Sequence, residues 1–188
     1  MEQATPEEVD RLLYFVSPQR KADALKYKHL AGQYACLKSY ELLHQLLAEK
    51  EWILPDEQLT FEYSEHGKPA LSSHSDIHFN ISHCKSAIAV AAGRDPVGID
   101  VESFRNPTVQ LLKYTMNDHE ADEVINSLNP EQRFTELWTR KEALFKYYGT
   151  GINHSIKDIL ANMPDTIRLD TAVSIEKKYA LTICEGIS

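Results

Sequence analysis

The chain has no GxxxxGK[ST] run and no GxGxxG run, which removes the P-loop and the dinucleotide fold as readings. It has no GxSxG, so the hydrolase nucleophile elbow is absent. Cysteine is scarce: Cys36, Cys84 and Cys184 are far apart, odd in number and form no CxxC pair. That argues against a disulfide framework or a zinc knuckle, and reduced thiols are expected. No apolar run is long enough to cross a membrane, and no membrane partner is expected. The opening MEQATPEEVD lacks the basic start and apolar stretch of a secretory leader, so a cytoplasmic location is expected. Positive charge is short too: 20 Lys and Arg against 28 Asp and Glu leave a net charge of −8. Such a chain binds nucleic acid poorly. Any anionic ligand must be held by a local basic cluster, a helix N-terminus or a metal ion.

What is present suits a small globular protein. The 188 residues are 43% hydrophobic, enough for one or two domains with real cores. Thr5-Pro6-Glu7-Glu8 carries a capping residue, a first-turn proline and an acidic first turn, and predicts a short helix to about Val16. Ser17-Pro18 repeats the start signal and predicts one long helix to about Glu49. Alternation at Leu59–Tyr63, at Ile77–Ser82 and at Val97–Glu102, and the small apolar run Ala87–Ala92, predict strands. Gly67-Lys68-Pro69 and Gly93-Arg94-Asp95-Pro96 read as turns. A helical pattern covers roughly Thr108–Leu128, and a strong helix covers Pro130–Tyr148, closed by Gly149. Strand-like segments follow at Ile167–Leu169, Ala172–Glu176 and Tyr179–Cys184. Helices then strands, twice over, predict an α+β fold of two lobes joined near Asp95–Gly98.

Four signals bear on chemistry. Asp100 and Glu102 alternate on one strand and so share a face. They are either a solvated strand end or a pair of hard oxygen ligands for Mg²⁺. On the helix of residues 134–148, Phe134, Leu137, Trp138, Leu144, Phe145 and Tyr148 form an apolar stripe with Lys141 in its middle. Glu142 sits at its margin, and Lys146 lies one turn further on the same side. An i,i+4 pair is ordinary surface chemistry, but a lysine within an apolar stripe needs partners or a polar site beside it. Ser82 and His83 end the strand of Asn80-Ile81-Ser82-His83 and are either surface or phosphate-binding groups. Asn117-Asp118-His119-Glu120 reads as a capping box, which explains Glu120 without chemistry.

Together these residues resemble one family. GIDVE at 98–102, followed about forty residues later by WTRKEALFK at 138–146, resembles the paired signature G-[IV]-D-[IV]-E and W-x-x-K-E-[AS]-x-x-K of the 4′-phosphopantetheinyl transferase superfamily. FNISHC at 79–84 resembles its upstream F-N-x-S-H-[ST] segment, with cysteine in the last place, and Gly67-Lys68-Pro69 resembles its G-K-P turn. The length resembles the double-length members, the surfactin-synthetase-activator type. The resemblance implies two similar lobes forming a pseudo-dimer, each with helices packed on a small antiparallel sheet. The lobes would be residues 1–96 and 97–188, with the active site in the cleft between them, in a monomer. Double-length members usually carry an arginine in the first long helix for the 3′-phosphate of coenzyme A; a gapless reading from Ser17-Pro18 finds none at that place, with Lys26, Lys28, Gln33 and Lys38 nearby, and Arg20 and Lys21 match the basic residues at the helix start.

The resemblance also implies roles. Asp100, Glu102 and Glu142 would ligate Mg²⁺, and coenzyme A would be the substrate. Arg20, Lys68, Ser82, His83, Lys141 and Lys146 would hold it. The serine of an apo acyl or peptidyl carrier protein would attack the β-phosphorus, releasing 3′,5′-ADP. Lys146 would assist the leaving phosphate. Glu142 would take the serine proton, with Glu120 as the second candidate. Arg140, Lys141, Lys146, Lys157, Lys177-Lys178 and Lys113 would offer an acidic carrier a basic surface. The rival readings are a Mg²⁺-dependent hydrolase of nucleotide pyrophosphates and a non-catalytic coenzyme A-binding protein.

Overall fold

The computed structural model describes residues 4–64, 67–152 and 156–187. Among them the fold is α+β, with six helices and three small antiparallel sheets. Helix α1 spans Pro6–Phe15, and the Thr5 hydroxyl accepts from the Glu8 backbone as its cap. The single long helix expected from Ser17 is two helices, α2 over Pro18–Leu25 and α3 over Leu30–Glu49. No proline or glycine marks the break at 26–29. At the break the Tyr27 ring packs beside Gly32, where a Cβ would lie 2.7 Å from the ring. The turn lets α2 lie along α3, and Arg20 Nη2 donates to the Cys36 carbonyl at 3.0 Å. Leu12, Leu37, Tyr40, Leu43 and Leu47 build the core of this half, joined by Phe61, Ile77 and Phe79 from the strands.

Strands β1 (Phe61–Tyr63) and β2 (Pro69–Leu71) form a hairpin, as do β3 (His78–His83) and β4 (Ile88–Gly93). Strand β5 (Val97–Ser103) edges a sheet of order β5-β7-β6, with β6 at Ile167–Ser174 and β7 at Tyr179–Gly186. The segments expected at Ile167–Leu169 and Ala172–Glu176 are therefore one strand. Asp170 and Thr171 pair with β7 without interruption. The pattern over residues 108–128 resolves into α4 (Val109–Thr115) and α5 (Asp118–Ile125), separated because Asn117 starts a new capping box with Glu120.

Helix α6 runs Pro130–Tyr148 and stops at Gly149, whose φ of +70° is the left-handed C-cap that glycine adopts at least cost. It lies directly on β5. A Cβ on Gly98 would come within 2.0 Å of the Ala143 carbonyl oxygen, so only glycine permits this approach. Since residues 98, 100 and 102 share a face, the same contact aims Asp100 at the last turns of α6.

Candidate active site

Asp100 sits almost wholly inside the protein, with its side chain 4% exposed. Its Oδ1 accepts from Ser82 Oγ at 2.8 Å and from Lys146 Nζ at 2.7 Å. Its Oδ2 is buried and has no hydrogen-bond partner. A buried carboxylate oxygen with no partner costs free energy unless a ligand or ion completes it. Ser82 reaches this point because β3 runs beside β5: its Oγ also accepts from the Val101 backbone at 3.2 Å.

Two further carboxylates act on the same spot. Burial pushes Glu142 up to about 7, and the charges of Asp100 and Glu102 add to that while Lys146 opposes it. Glu102 is also raised, by burial first and then by Asp100. Glu102 and Glu142, both raised by burial and by the charge of Asp100, are short of positive charge, and Lys146 supplies only part of it. Hard oxygen donors in this state suit a divalent cation such as Mg²⁺. Among the described residues no three such side chains already stand in metal-binding geometry.

Two cavities open beside these residues and meet at Pro69 and Ile81. The smaller, about 250 Å³, is lined by Lys68, Asn80, Glu142, Phe145, Lys146 and the glycines 67, 149 and 151 among others. The larger, about 600 Å³, is lined by Arg20, Asp23, Lys26, Tyr27, Tyr63 and His83 among others. Their linings share Pro69 and Ile81. Lys68 and Asn80 share a task at the junction. Lys68 Nζ donates to the Lys146 carbonyl at 2.8 Å, and Asn80 Nδ2 approaches the same carbonyl at 3.3 Å and that of Val97 at 3.4 Å. They satisfy one of the carbonyls that the end of α6 leaves open, and so fix the turn bearing Lys146. Sequence reasoning missed Asn80 in this role; a buried amide beside a strand-end serine was the available signal. Burial pushes the Lys68 ammonium down and, with Lys146 and Arg20, pushes His83 down.

The structure thus brings Ser82, Asp100, Glu102, Glu142 and Lys146 together, with Lys68 one step away and Arg20 and His83 on the larger cavity. It does not bring Lys141 or Glu120. Lys141 is completely buried, with its Nζ 2.7 Å from Glu120 Oε2 and 2.7 Å from the carbonyls of Ile156 and Lys157. All three of its donors are used. It can neither hold coenzyme A nor face a carrier. Glu120 is consumed by Lys141 and by its capping box, where it accepts from the Asn117 backbone at 3.1 Å, so it has no path to a substrate hydroxyl. Burial lowers Lys141's proton affinity while Glu120 raises it.

The model of the 4′-phosphopantetheinyl transferase superfamily matches residues 96–184. The chain is 26% identical over 180 residues to the 4′-phosphopantetheinyl transferase ffp of Bacillus subtilis, covering 95% of this chain and 78% of that protein. It is 30% identical over 158 residues to the 4′-phosphopantetheinyl transferase gsp of Aneurinibacillus migulanus, covering 78% of this chain and 64% of that protein. With the 4′-phosphopantetheinyl transferase AcpT of Salmonella typhimurium it shares 31% over 136 residues, covering 64% of this chain and 69% of that protein.

Proposed function

The chain belongs to the 4′-phosphopantetheinyl transferase superfamily, and we propose that it moves the 4′-phosphopantetheine arm of coenzyme A onto a serine of an apo acyl or peptidyl carrier protein. The observation that carries the reading is the buried, unpartnered Oδ2 of Asp100 beside Glu102 and Glu142, both raised by burial and by Asp100, next to Lys146 and two cavities read as one path.

In this reading Asp100, Glu102 and Glu142 hold Mg²⁺. The ion, when bound, neutralises charge on the pyrophosphate. The carrier serine oxygen bonds to the β-phosphorus as the bond to the departing 3′,5′-ADP breaks. Glu142 accepts the serine proton. Lys146, held by Lys68 and Asn80 through its carbonyl, turns its ammonium from Asp100 toward the leaving phosphate. Ser82 keeps Asp100 in place. Lys68 lies at the pyrophosphate end, and Arg20 and His83 at the nucleotide end. Residues 1–96 and 97–188 form two lobes of a pseudo-dimer, with this path in the cleft between them. One chain supplies both sides of that path, which supports a monomer. Arg140, Lys157, Lys113 and Lys177-Lys178 remain the basic residues offered to an acidic carrier. Among the described residues no helix is long and apolar enough to cross a membrane, in keeping with a cytoplasmic enzyme.

The test is direct. The protein is incubated with coenzyme A, Mg²⁺ and apo carriers of fatty-acid and peptide-synthetase type, and each carrier is weighed. A phosphopantetheine mass gain, lost in Asp100→Ala and Glu142→Ala, supports the proposal. Coenzyme A breakdown without a carrier would favour a hydrolase instead, and no gain with any carrier would sink it.

A further inference from the structure

The two cavities differ in how their charges are spent. In the larger one every lining cation already has an acceptor. Arg20 gives Nε and Nη2 to the Cys36 carbonyl at 3.2 and 3.0 Å, and its guanidinium stands 5.5 Å from the centre of the Phe61 ring. Lys26 Nζ is 2.6 Å from Asp23 Oδ1, and Asp23 Oδ2 accepts from the Tyr63 hydroxyl at 3.2 Å. His83 is kept toward its neutral form by burial and by nearby Lys146 and Arg20. On the adjoining helix Gln33 is turned to the Tyr27 carbonyl at 2.9 Å.

A carboxylate therefore stands among the cations, with its own side chain only 22% exposed. The rest of the lining includes Tyr27, Tyr63, Pro69 and Ile81, which present neutral, largely flat surface. A heteroaromatic base finds stacking partners and hydrogen-bonding groups here. A phosphate dianion could take only the Arg20 N–H groups that Cys36 leaves over, and would still meet Asp23. Lys26 is 75% exposed, so its attraction for an anion is screened by water.

We propose that Asp23 makes this cavity a site for the nucleoside of coenzyme A with little claim on its 3′-phosphate, so that the protein uses 3′-dephospho-coenzyme A about as well as coenzyme A. The inference rests on the transferase reading, with the nucleotide end in the larger cavity. The chemistry is unchanged. The serine oxygen bonds to the β-phosphorus, the pyrophosphate bond breaks, Glu142 takes the serine proton, and 5′-AMP leaves in place of 3′,5′-ADP.

The experiment compares kcat/KM for the two donors, read as carrier mass against time, in the parent and in Asp23→Lys and Asp23→Asn, each checked by thermal melting. The parent ratio is expected within about fivefold, the worth of a solvent-screened ion pair. Asp23→Lys is expected to move the ratio toward coenzyme A by about tenfold, chiefly through KM, with Asp23→Asn in between. A parent that prefers coenzyme A by more than about tenfold overturns the proposal. So does a ratio that Asp23→Lys leaves unmoved. Transfer from neither donor would instead sink the transferase reading. Calorimetric binding of both donors then decides the cavity's preference by the same threshold.

Discussion

Two ion pairs of equal length hang from α6. Lys141 meets Glu120 at 2.7 Å, and five residues on, Lys146 meets Asp100 at 2.7 Å. The first lysine is fully covered and each of its protons has an acceptor. The second is 28% exposed, and its carboxylate partner keeps a buried oxygen with no partner at all. Buried charge alone does not mark a functional site, because a closed pair leaves nothing for a ligand to complete. The unfilled valence does mark one. The closed pair ties α5, α6 and the segment at 156–157 together, and the open pair faces the cavity.

The comparison breaks most readily at the closed pair. Removing one partner strands the other without compensation. Lys141→Met should cost about 3–5 kcal/mol in urea denaturation, whereas Glu120→Leu with Lys141→Met should recover most of that loss. A near-neutral Lys141→Met that abolished coenzyme A binding would show that this pair is a ligand site after all.

At the open pair the effect should fall on activity instead. Asp100→Ala is expected to lower kcat by about 10²–10³-fold, the scale of losing a group that stabilises transition-state charge. Its melting temperature should fall less than that of Lys141→Met, since the stranded Lys146 is partly exposed to water whereas Lys141 is fully buried. Activity within about tenfold of the parent would erase the distinction between the two pairs.

The pH dependence sharpens the same point. Glu142 is pushed from 4.5 to about 7, first by burial and then by Asp100. Between those values the folded chain keeps a proton that the unfolded chain releases, so this group's contribution to stability falls as pH rises through that window. Glu142→Gln, which never ionises, should match the parent near pH 4.5 and exceed it by about 1–2 kcal/mol at pH 8, allowing for the group's partial exposure. Urea titrations at both pH values check it, and a gain of equal size at both would contradict the assignment.

The smallest effect belongs to Asn80. Its amide contacts are long, so Asn80→Ala should cost about 1 kcal/mol of stability and lower kcat several-fold through a looser Lys146. Losing stability with no change in kcat would make Asn80 a fold residue only.

Much of this was legible in the sequence. The bounds of α6 followed from Pro130 and Gly149, and the start of α1 from Thr5 and Pro6. Alternation found β3 and β5 and put Asp100 and Glu102 on one face. Lys141 within an apolar stripe was correctly noticed but assigned to coenzyme A. Periodicity shows that such a residue needs partners, and cannot show that they are Glu120 and two carbonyls from another segment. The break between α2 and α3 was invisible because no proline or glycine stands at 26–29, where the Tyr27 ring packs beside Gly32. Gly98 read as part of a motif, and only the contact with Ala143 shows why no side chain fits there. The 4′-phosphopantetheinyl transferase family was readable from the paired motifs at 98–102 and 138–146, and the second cavity's balance of charges was not.

The most direct test of the central claim is metal binding at the open pair. Mn²⁺ titrated calorimetrically into the protein with coenzyme A should bind the parent, release protons below about pH 7 as Glu142 ionises, and fail to bind Asp100→Asn. Equal affinity in parent and Asp100→Asn would contradict the account.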